Sequence, residues 1–334
     1  MMHDVYFLPA YGKLNEKIEG GRVQTFDFRC AFGQIRSVYI KREIPFVLDG
    51  VQYFDAVTPY GYGGPVVLEA SDREKLLACY SEAYREKCRE ERIVDEFVRF
   101  HPLAENALDF RDLYEVSFNR HTIAVDLTED TYLYSQFTPD CRNMIRKAAK
   151  KGVVTQVDEN CEHLEEFIQL YYATMEKNFA SSYYYFEKSY FEGLKNSEAF
   201  RLILINAYVE NEIIASSMFM RSDENMHYHL SATNPEYYSF ASNNAILALA
   251  CEYGHEQRLK NLHLGGGLSA DEKDPLLRFK RNFGRQDKNL KDFYLGKAIF
   301  LPEVYEKLCS LTREAGQENE QDLGNFFPAY RKAH

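Results

Sequence analysis

Polar and apolar side chains alternate along Met226–Ala232, a segment whose residue types predict a β-strand. In such a strand His227, His229 and Ser231 share one face, and Tyr228 faces the other way. Histidine can exchange a proton near neutral pH, and serine can hydrogen-bond a substrate, so this face predicts catalytic or substrate-binding groups. The alternative is that these side chains find their partners within the core, as buried polar groups must. Both interpretations remain open.

A lysine is the second candidate for chemistry. Lys280 follows Phe279 and precedes two further cations, Arg281 and Arg285. A lysine ammonium here can neutralise a leaving group or a phosphate, which makes Lys280 a candidate catalytic residue and Phe279 a candidate substrate contact. The alternative is an ordinary surface lysine.

The segment from about Pro139 to Lys151 is predicted to be a helix with one strongly basic side. Its apolar face holds Cys141, Ile145 and two alanines. Five cations spread over the opposite side: Arg142, Arg146, Lys147, Lys150 and Lys151. Arg142, Arg146 and Lys147 are therefore candidates for binding a phosphate, and a solvated outer face is the alternative.

Glycine-rich turns follow strands in both halves of the chain. Tyr62, Gly63 and Gly64 lie between a predicted strand and a predicted helix, where backbone N–H groups can approach a ligand closely. The turn matches neither the P-loop nor the dinucleotide-binding pattern, so a tight structural turn is an equal alternative.

The second half places further polar groups at comparable positions. Asn243 and Asn244 begin a predicted helix, and His263, Gly265 and Gly266 end a short strand and begin a turn. The amides can donate to a substrate or bond to local backbone, and both possibilities stay open.

Motifs for covalent catalysis and for metal binding are missing from the sequence. There is no GxSxG, no HExxH and no CxxC, and the seven cysteines are widely scattered. We therefore predict no metal site, no disulfide framework and no covalent enzyme intermediate.

The elements that carry these residues occur in the same order twice. Each half contains a strand, a polar turn, a helix and a second strand, and the two copies of this pattern are about 170 residues apart. The repetition predicts a duplicated α/β (α+β) architecture. The boundary is predicted near Thr128–Thr131, just after the predicted strand Thr122–Leu127. The predicted domains are residues 1–129 and 130–334, with a polar tail from Ala315 to Gly324.

Composition agrees with two globular domains and excludes several classes. The chain has 334 residues, 45% hydrophobic and 27% charged, and a net charge of −11, which argues against a protein that coats DNA. No apolar stretch is long enough to span a membrane, and the N-terminal residues do not form a secretory signal. We therefore expect a cytoplasmic protein without an integral membrane segment.

A set of loose motifs, in a fixed order, resembles the Fem-type (FemAB-like) branch of the GNAT acyltransferase superfamily. The motifs are GYGGP (Gly61–Pro65), RFHPL (Arg99–Leu103), TIAVDL (Thr122–Leu127), CRNMIRKAAKKGV (Cys141–Val153), YHLSAT (Tyr228–Thr233), ASNNAIL (Ala241–Leu247), HLGGG (His263–Gly267) and FKRNFG (Phe279–Gly284). The resemblance implies two tandem GNAT-like domains, each a mixed sheet flanked by helices. It also implies transfer of an aminoacyl or acyl group onto an amine, with Lys280 balancing charge on the leaving group.

The resemblance leaves the donor open. No long helical arm, as found in Fem proteins that use tRNA, is indicated between the halves. After Thr233 the sequence NPEYYSFASNN stands where simple acetyltransferases carry their acetyl-CoA loop. We expect no tightly bound cofactor and an acyl donor, aminoacyl-tRNA or acyl-CoA, that acts as co-substrate.

The resulting prediction is an amide-forming acyltransferase that acts on a phosphate-containing cell-envelope precursor, such as a peptidoglycan or polysaccharide precursor. The predicted catalytic residues are Lys280, His229 and Asp126; for Asp126, which would orient the amine, a structural role is the alternative. Tyr62, Gly63 and Gly64 are predicted at one end of a cleft, and Ser231, Asn243 and Asn244 at the other. The alternatives are an acetyl-CoA-dependent N-acetyltransferase for an amino sugar and a non-catalytic binding protein on the same fold. The acceptor, any general base and the oligomeric state are not predicted.

Overall fold

The structure, a computed structural model, describes residues 4–314 and 326–331. The predicted polar tail, Ala315 to Gly324, lies outside these residues. The strands are β1 Arg22–Cys30, β2 Gly33–Leu48, β3 Val51–Val57, β4 Val66–Ala70, β5 Ile93–Arg99, β6 Glu115–Asp126, β7 Val154–Asp158, β8 Arg201–Val209, β9 Glu212–Arg221, β10 Asn225–Thr233, β11 Asn261–Gly265 and β12 Leu290–Ile299.

The described residues also form ten α-helices. They are α1 Pro9–Leu14, α2 Glu16–Glu19, α3 Arg73–Glu90, α4 Tyr132–Ser135, α5 Pro139–Lys150, α6 Leu164–Lys177, α7 Lys188–Lys195, α8 Ser242–Glu256, α9 Pro275–Arg281 and α10 Pro302–Glu314. Over the described ranges, no helix is long and apolar enough to cross a membrane.

The chain forms two compact units. The N-terminal unit contains residues 6–119 together with the described residues from 293 onward, and the C-terminal unit contains residues 4–5 and 120–292. These bounds differ from the predicted ranges 1–129 and 130–334. The physical reason is strand pairing: the second half of β12 pairs with β5, Leu295 opposite Arg99, and so the end of the chain returns to the N-terminal unit.

The N-terminal unit is a mixed sheet covered by α3. Its strand order is β1-β2-β3-β5-β12, with β4 paired to β2. β3 and β5 are parallel, and the connection between them contains β4 and α3. The side chain of Asp72 caps α3 by accepting from the N–H of Lys75, and α3 buries Leu76, Tyr80 and Tyr84 at helical spacing.

The C-terminal unit is a second mixed sheet, in the order β6-β11-β10-β9-β8-β7. β10 and β11 are parallel and α8 connects them, while the neighbouring pairs are antiparallel. The core on the α8 face includes Ile205, Phe219, Met226, Ile246 and Leu262. α8 is apolar on most of its surface because it packs against strands as well as against α5.

Both units therefore contain a parallel strand–helix–strand connection: β3–α3–β5 in one and β10–α8–β11 in the other. The predicted α/β class, with a mixed sheet flanked by helices, is confirmed. So is the repeated order of elements from which it was predicted.

Candidate active site

The ladder between β10 and β11 stops partway along both strands. It pairs Asn225–His227 with Asn261–His263, and no further pair joins the two strands in the described chain, although β10 continues to Thr233. The stretch where they are no longer paired, Tyr228–Ser231 of β10 with Leu264–Gly266, is here called the strand gap.

A β-bulge in β10 determines which side chains meet there. The register of β10 against β9 shifts between Tyr228 and Leu230, which leaves His229 as the extra residue. Tyr228 and Ser231 consequently lie on the same face of the sheet, where the hydroxyl oxygens of Ser231 and Ser217 are 3.0 Å apart. The prediction that Ser231 shares its face with His229, opposite Tyr228, is wrong, because one inserted residue reverses the alternation.

His229 instead contacts α7. Its Nε2 lies 2.9 Å from the hydroxyl of Tyr190. Burial lowers the pKa of His229 to about 3, and the neighbouring His227 lowers it further. The imidazole is therefore neutral at physiological pH. Its predicted catalytic role stays a prediction, and it does not share the hydroxyl cluster of Tyr228 and Ser231.

Lys280 lies beside the strand gap, and it is buried. Only 8% of its surface is exposed, so the alternative of a surface lysine is wrong. Its Nζ donates to the carbonyl of Gly266 at 2.7 Å and lies 5.8 Å from the centre of the Tyr228 ring. Burial lowers the pKa of Lys280 to about 7, against the opposing attraction of Asp274. At neutral pH the side chain is present in both its charged and its neutral form.

The residues around Lys280 were partly anticipated. Gly265 ends β11 with a positive φ of 73°, and Gly266 supplies the carbonyl that Lys280 contacts. Phe279 packs edge-on against Phe283, with ring centres 5.6 Å apart, at the border of the core.

His263 belongs to a buried network on the opposite face of the sheet. Its Nε2 is 2.9 Å from the hydroxyl of Thr122, and its Nδ1 is 3.4 Å from Nδ1 of His227. His227 in turn lies 2.9 Å from the carboxylate of Asp4. The neighbours Leu262 and Leu264 belong to the core on the α8 face, so the ring of His263 faces away from Lys280.

Asn243 and Asn244 attach the first turn of α8 to its surroundings. The hydroxyl of Thr233 donates to Oδ1 of Asn243 at 3.2 Å. The side chain of Asn244 is buried, and α8 packs against α5. Asn243 thus connects the start of α8 to the end of β10, and substrate binding by either amide stays a prediction.

The basic helix is α5, and it is connected directly to the segment after Lys280. The hydroxyl of Thr138 caps α5 at the N–H of Cys141 and also donates to the side chain of Asn282 at 3.0 Å. Arg142 is half-buried and donates to the carbonyl of Phe137 at 2.5 Å. The next two cations are more available to a ligand.

Arg146 and Lys147 are exposed, and the only partner found for Arg146 among the described residues is the neighbouring side chain of Asn143. Lys151, just after α5, donates to the hydroxyl of Ser239 at 3.0 Å. A phosphate can therefore approach α5 at Arg146 and Lys147 without breaking a bond that holds the fold.

Asp126 ends β6 with both carboxylate oxygens occupied. One accepts from the N–H and hydroxyl of Thr128, at 3.0 and 2.6 Å, and the other from Lys288 at 3.1 Å. Burial alone would raise the pKa of Asp126, but these hydrogen bonds lower it further than burial raises it. The contacts favour the structural alternative, and the orienting of an amine stays a prediction.

The glycine turn of the N-terminal unit is also held by protein contacts. The N–H of Gly63 donates to the carbonyl of Arg99 at 2.7 Å, and its carbonyl accepts from Asn106 at 3.0 Å. Gly64 has a φ of 83°, and a Cβ there would lie 2.9 Å from Val98. The ring of Tyr62 packs edge-on against Tyr6 and Phe293 in the same unit. These contacts favour a structural turn, and ligand binding by it stays a prediction.

Sequence reasoning missed Ser217, Asp274 and the part played by Tyr228. Asp274 was detectable, since an aspartate followed by proline before a short apolar run is typical of a helix N-cap. The role of Tyr228 was not, because it depends on the bulge.

Comparison with known proteins gives one family and several similar folds. Residues 135–281 match the model described as "Acetyltransferase (GNAT) domain". The solved structure of FemX has a TM-score of 0.67 at 13% identity, over 91% of this chain and 94% of that one.

Two further solved structures have the same fold. The C-terminal domain of a putative lysylphosphatidylglycerol synthetase from Agrobacterium fabrum has a TM-score of 0.56 at 13% identity, over 86% and 87% of the two chains. L-PGS from Bacillus licheniformis has a TM-score of 0.53 at 16% identity, over 86% and 91%. At these identities the likeness concerns the fold. No curated protein sequence matches the chain.

Proposed function

We propose that this protein, a GNAT-type acyltransferase with a Fem-type fold, transfers an aminoacyl or acyl group to an amine of a cell-envelope or polysaccharide precursor. The observation that carries the proposal is the burial of Lys280 beside the strand gap, within the GNAT-matched residues. Burying an amine costs free energy that a strong partner usually offsets. The partners of the Lys280 amine are a single backbone carbonyl and, farther away, the carboxylate of Asp274, so we attribute its burial to a role in the reaction.

The proposed reaction is a direct displacement. The amine lone pair of the acceptor attacks the donor carbonyl carbon, a C–N bond forms, and the donor's C–O or C–S bond breaks. The attacking nitrogen loses a proton and the leaving oxygen or sulfur gains one. The charged form of Lys280 balances the negative charge that develops on the leaving atom, where electrostatic stabilisation is most effective.

The hydroxyl cluster has a complementary role in the proposal. Tyr228, Ser231 and Ser217 lie on one face of the sheet; the two serine hydroxyl oxygens are 3.0 Å apart, and Lys280 lies over the Tyr228 ring. Their hydroxyls can donate to the donor carbonyl as it becomes tetrahedral, while burial excludes water that would hydrolyse the donor.

A phosphate-bearing partner is proposed for α5. Arg146 and Lys147 are exposed cations in a chain whose net charge is −11, so they form a local positive surface. Aminoacyl-tRNA and acyl-CoA both carry phosphates, as do nucleotide-linked envelope precursors. The neighbour from Agrobacterium fabrum, named a putative lysylphosphatidylglycerol synthetase, supports an aminoacyl donor, since its name denotes an aminoacylated lipid product.

A second candidate function is N-acetylation of an amino sugar with acetyl-CoA. It is favoured by the description of the matching family model, which names an acetyltransferase. The same Lys280 would then face a thiolate leaving group in place of a ribose oxygen.

The test is a donor and acceptor matrix with purified full-length protein. Aminoacyl-tRNA and acetyl-CoA are offered with peptidoglycan precursors and nucleotide-linked amino sugars, and amide products are identified by mass spectrometry. We expect turnover with one donor that is lost in Lys280→Met and kept in Lys273→Met, a matched change at an exposed lysine of the same segment. Equal turnover by both variants would overturn the role of Lys280, and no turnover with any pair would favour the non-catalytic alternative.

A further inference from the structure

We propose that Asp274 is a positioning residue for the transfer: its carboxylate fixes the loop that presents the Gly266 carbonyl to Lys280 and supplies the negative charge that faces the Lys280 ammonium. The proposal rests on the function proposed above for Lys280. It concerns a residue that touches neither substrate nor reacting atoms and acts through its neighbours.

The carboxylate of Asp274 accepts five hydrogen bonds, from two segments of backbone. One oxygen accepts from the N–H groups of Leu276 and Leu277, at 2.9 and 3.0 Å, and so caps α9. The other accepts from the N–H groups of Leu268 and Ser269, at 3.0 and 2.9 Å, and from the Ser269 hydroxyl at 3.1 Å. A buried carboxylate with so many donors is held in one orientation.

This arrangement closes the loop between β11 and α9. Asp274 joins the start of α9 to the residues that follow the glycines, and a Cβ at Gly267 would lie 2.4 Å from its Oδ1. The carbonyl of Gly267 accepts from Arg120 at 2.9 Å. A Cβ at Gly266 would lie 3.1 Å from the carbonyl of His121. The glycines are therefore required for the close approach of this loop to the carboxylate and to β6.

Lys280 receives its position from the same carboxylate. It lies in the last turn of α9, the helix that Asp274 caps, and its Nζ donates to the carbonyl of Gly266 in the loop that Asp274 closes. The side chain of Asp274 thus fixes both the helix that carries Lys280 and the loop that carries the Gly266 carbonyl, the two partners of the 2.7 Å hydrogen bond. A small displacement of either end would move the ammonium away from the strand gap, where geometry strongly affects rate.

The negative charge of Asp274 also favours the charged form of Lys280. Burial raises the pKa of Asp274, but the hydrogen bonds from Leu277, Ser269 and Leu276 lower it by more, so Asp274 is ionised. Its negative charge raises the pKa of Lys280, against burial, which lowers it. Among the described residues, the other groups found in contact with Lys280 are the Tyr228 ring of β10 and the Gly266 carbonyl, neither of which carries a charge at neutral pH. Removing the charge of Asp274 should therefore leave Lys280 less protonated.

The primary test follows Lys280 directly, by NMR titration of the full-length protein labelled at lysine side chains. Asp274→Asn removes the charge and keeps an oxygen for the cap, and Asp271→Asn is the matched change at an exposed aspartate of the same loop. We expect Asp274→Asn to lower the titration midpoint of Lys280 by about one pH unit, as loss of a nearby opposite charge does. We expect Asp271→Asn to leave it unchanged. An unchanged midpoint in folded Asp274→Asn would overturn the proposal, and this outcome is independent of whether any donor is turned over.

A kinetic arm separates positioning from mere stability. Once a donor is identified, Asp274→Asn should lower kcat by roughly tenfold or more with little change in KM, and should move the alkaline limb of the kcat profile to lower pH. If kcat instead falls by the same factor at every pH and the alkaline limb does not move, Asp274 acts only as a structural cap, and the proposal is contradicted. If Asp274→Asn does not fold, Asp274→Ser keeps an N-cap side chain without the charge, and the same two measurements decide.

Discussion

The side-chain nitrogen of Lys280 lies 2.7 Å from the carbonyl oxygen of Gly266, although the lysine and the glycine stand in different elements. This contact holds a buried ammonium at the edge of the strand gap and leaves two of its three donors for other partners in the charged form. Because burial lowers the pKa of Lys280 to about 7, the contact places a titrating group where the proposed leaving atom would be.

Substitution of Lys280 by methionine should affect rate more than binding. Charge on the leaving group grows toward the transition state, so Lys280→Met should lower kcat by roughly 10² or more. KM should change much less, and the fold should survive because methionine keeps the apolar stem. Steady-state kinetics with the identified donor measure both constants. A wild-type kcat in Lys280→Met would rule out the assigned role.

The pH dependence of the wild-type enzyme follows from the same group. The folded-state pKa of Lys280 is lowered to about 7, so the charged form is lost as the pH rises through that value. If the ammonium is the active form, kcat should fall about tenfold for each pH unit above the pKa. A profile of kcat from pH 5.5 to 9 measures this limb. A rate that rises through pH 7 and stays high would mean that neutral Lys280 acts as a base instead.

The parts of this site that could be predicted are those that depend on residues close together in the sequence. Lys280 was found from its sequence neighbours, and the α5 cations were found from helical periodicity. Ser231 was assigned to the wrong face, since the inserted residue at His229 leaves no mark in the pattern of apolar and polar letters. The contact between Lys288 and Asp126 could not be predicted, because the two residues are far apart in the chain and only the tertiary structure brings them together.

The cations of α5 should differ from one another in their effects. Arg146→Ala with Lys147→Ala removes two exposed charges, so the stability of the fold should change by no more than about 0.5 kcal/mol per site. Binding of a phosphate-bearing donor should weaken and become less dependent on salt. Arg142→Ala should lower stability more, because Arg142 is half-buried and donates to the carbonyl of Phe137. Titrations at two salt concentrations give the comparison, and unchanged affinity in the folded double variant would make α5 an ordinary solvated helix.

The N-terminal unit contains a buried carboxyl group whose protonation should affect stability. Glu96 accepts from the hydroxyl of Tyr114 at 2.7 Å, and burial raises its pKa to about 7. Because the folded pKa lies above the unfolded one, the folded state binds the proton more tightly. Its stabilising effect is complete below the unfolded pKa and is lost as the pH rises toward 7. The loss amounts to about 3 kcal/mol for a shift of this size.

Glu96→Gln should therefore reduce the decline in stability of this unit between pH 4.5 and 7 (about the two pKa values), because glutamine mimics the protonated form. Part of the decline should remain, because burial also raises the pKa of Asp95 in the same strand. Hydrogen exchange of peptides from α3 and β5, measured across that range, reports on this unit alone. Glu82→Gln, at an exposed position of α3, is the control and should keep the wild-type dependence. The same pH dependence in Glu96→Gln as in the wild type would contradict the assignment.

The C-terminal segment Phe326–Arg331 should stabilise the N-terminal unit through Tyr330. The hydroxyl of Tyr330 donates to the buried carboxylates of Asp95 and Asp55, at 2.6 and 3.1 Å. Burial raises the pKa of Asp95, as does the charge of Asp55, while the hydrogen bond from Tyr330 lowers it. Tyr330→Phe leaves these acceptors without that donor, so the free energy of unfolding should fall by about 1–3 kcal/mol.

The loss in Tyr330→Phe should exceed the loss at an exposed ring of the same segment, because the Tyr330 hydroxyl is buried together with its acceptors. Phe326→Ala, at a half-exposed position of the same segment, is the matched control and should cost much less. Hydrogen exchange of β3 and β5, the strands that carry Asp55 and Asp95, distinguishes the two variants. Equal protection of these strands in Tyr330→Phe and in the wild type would show that the segment does not stabilise the unit through this hydroxyl.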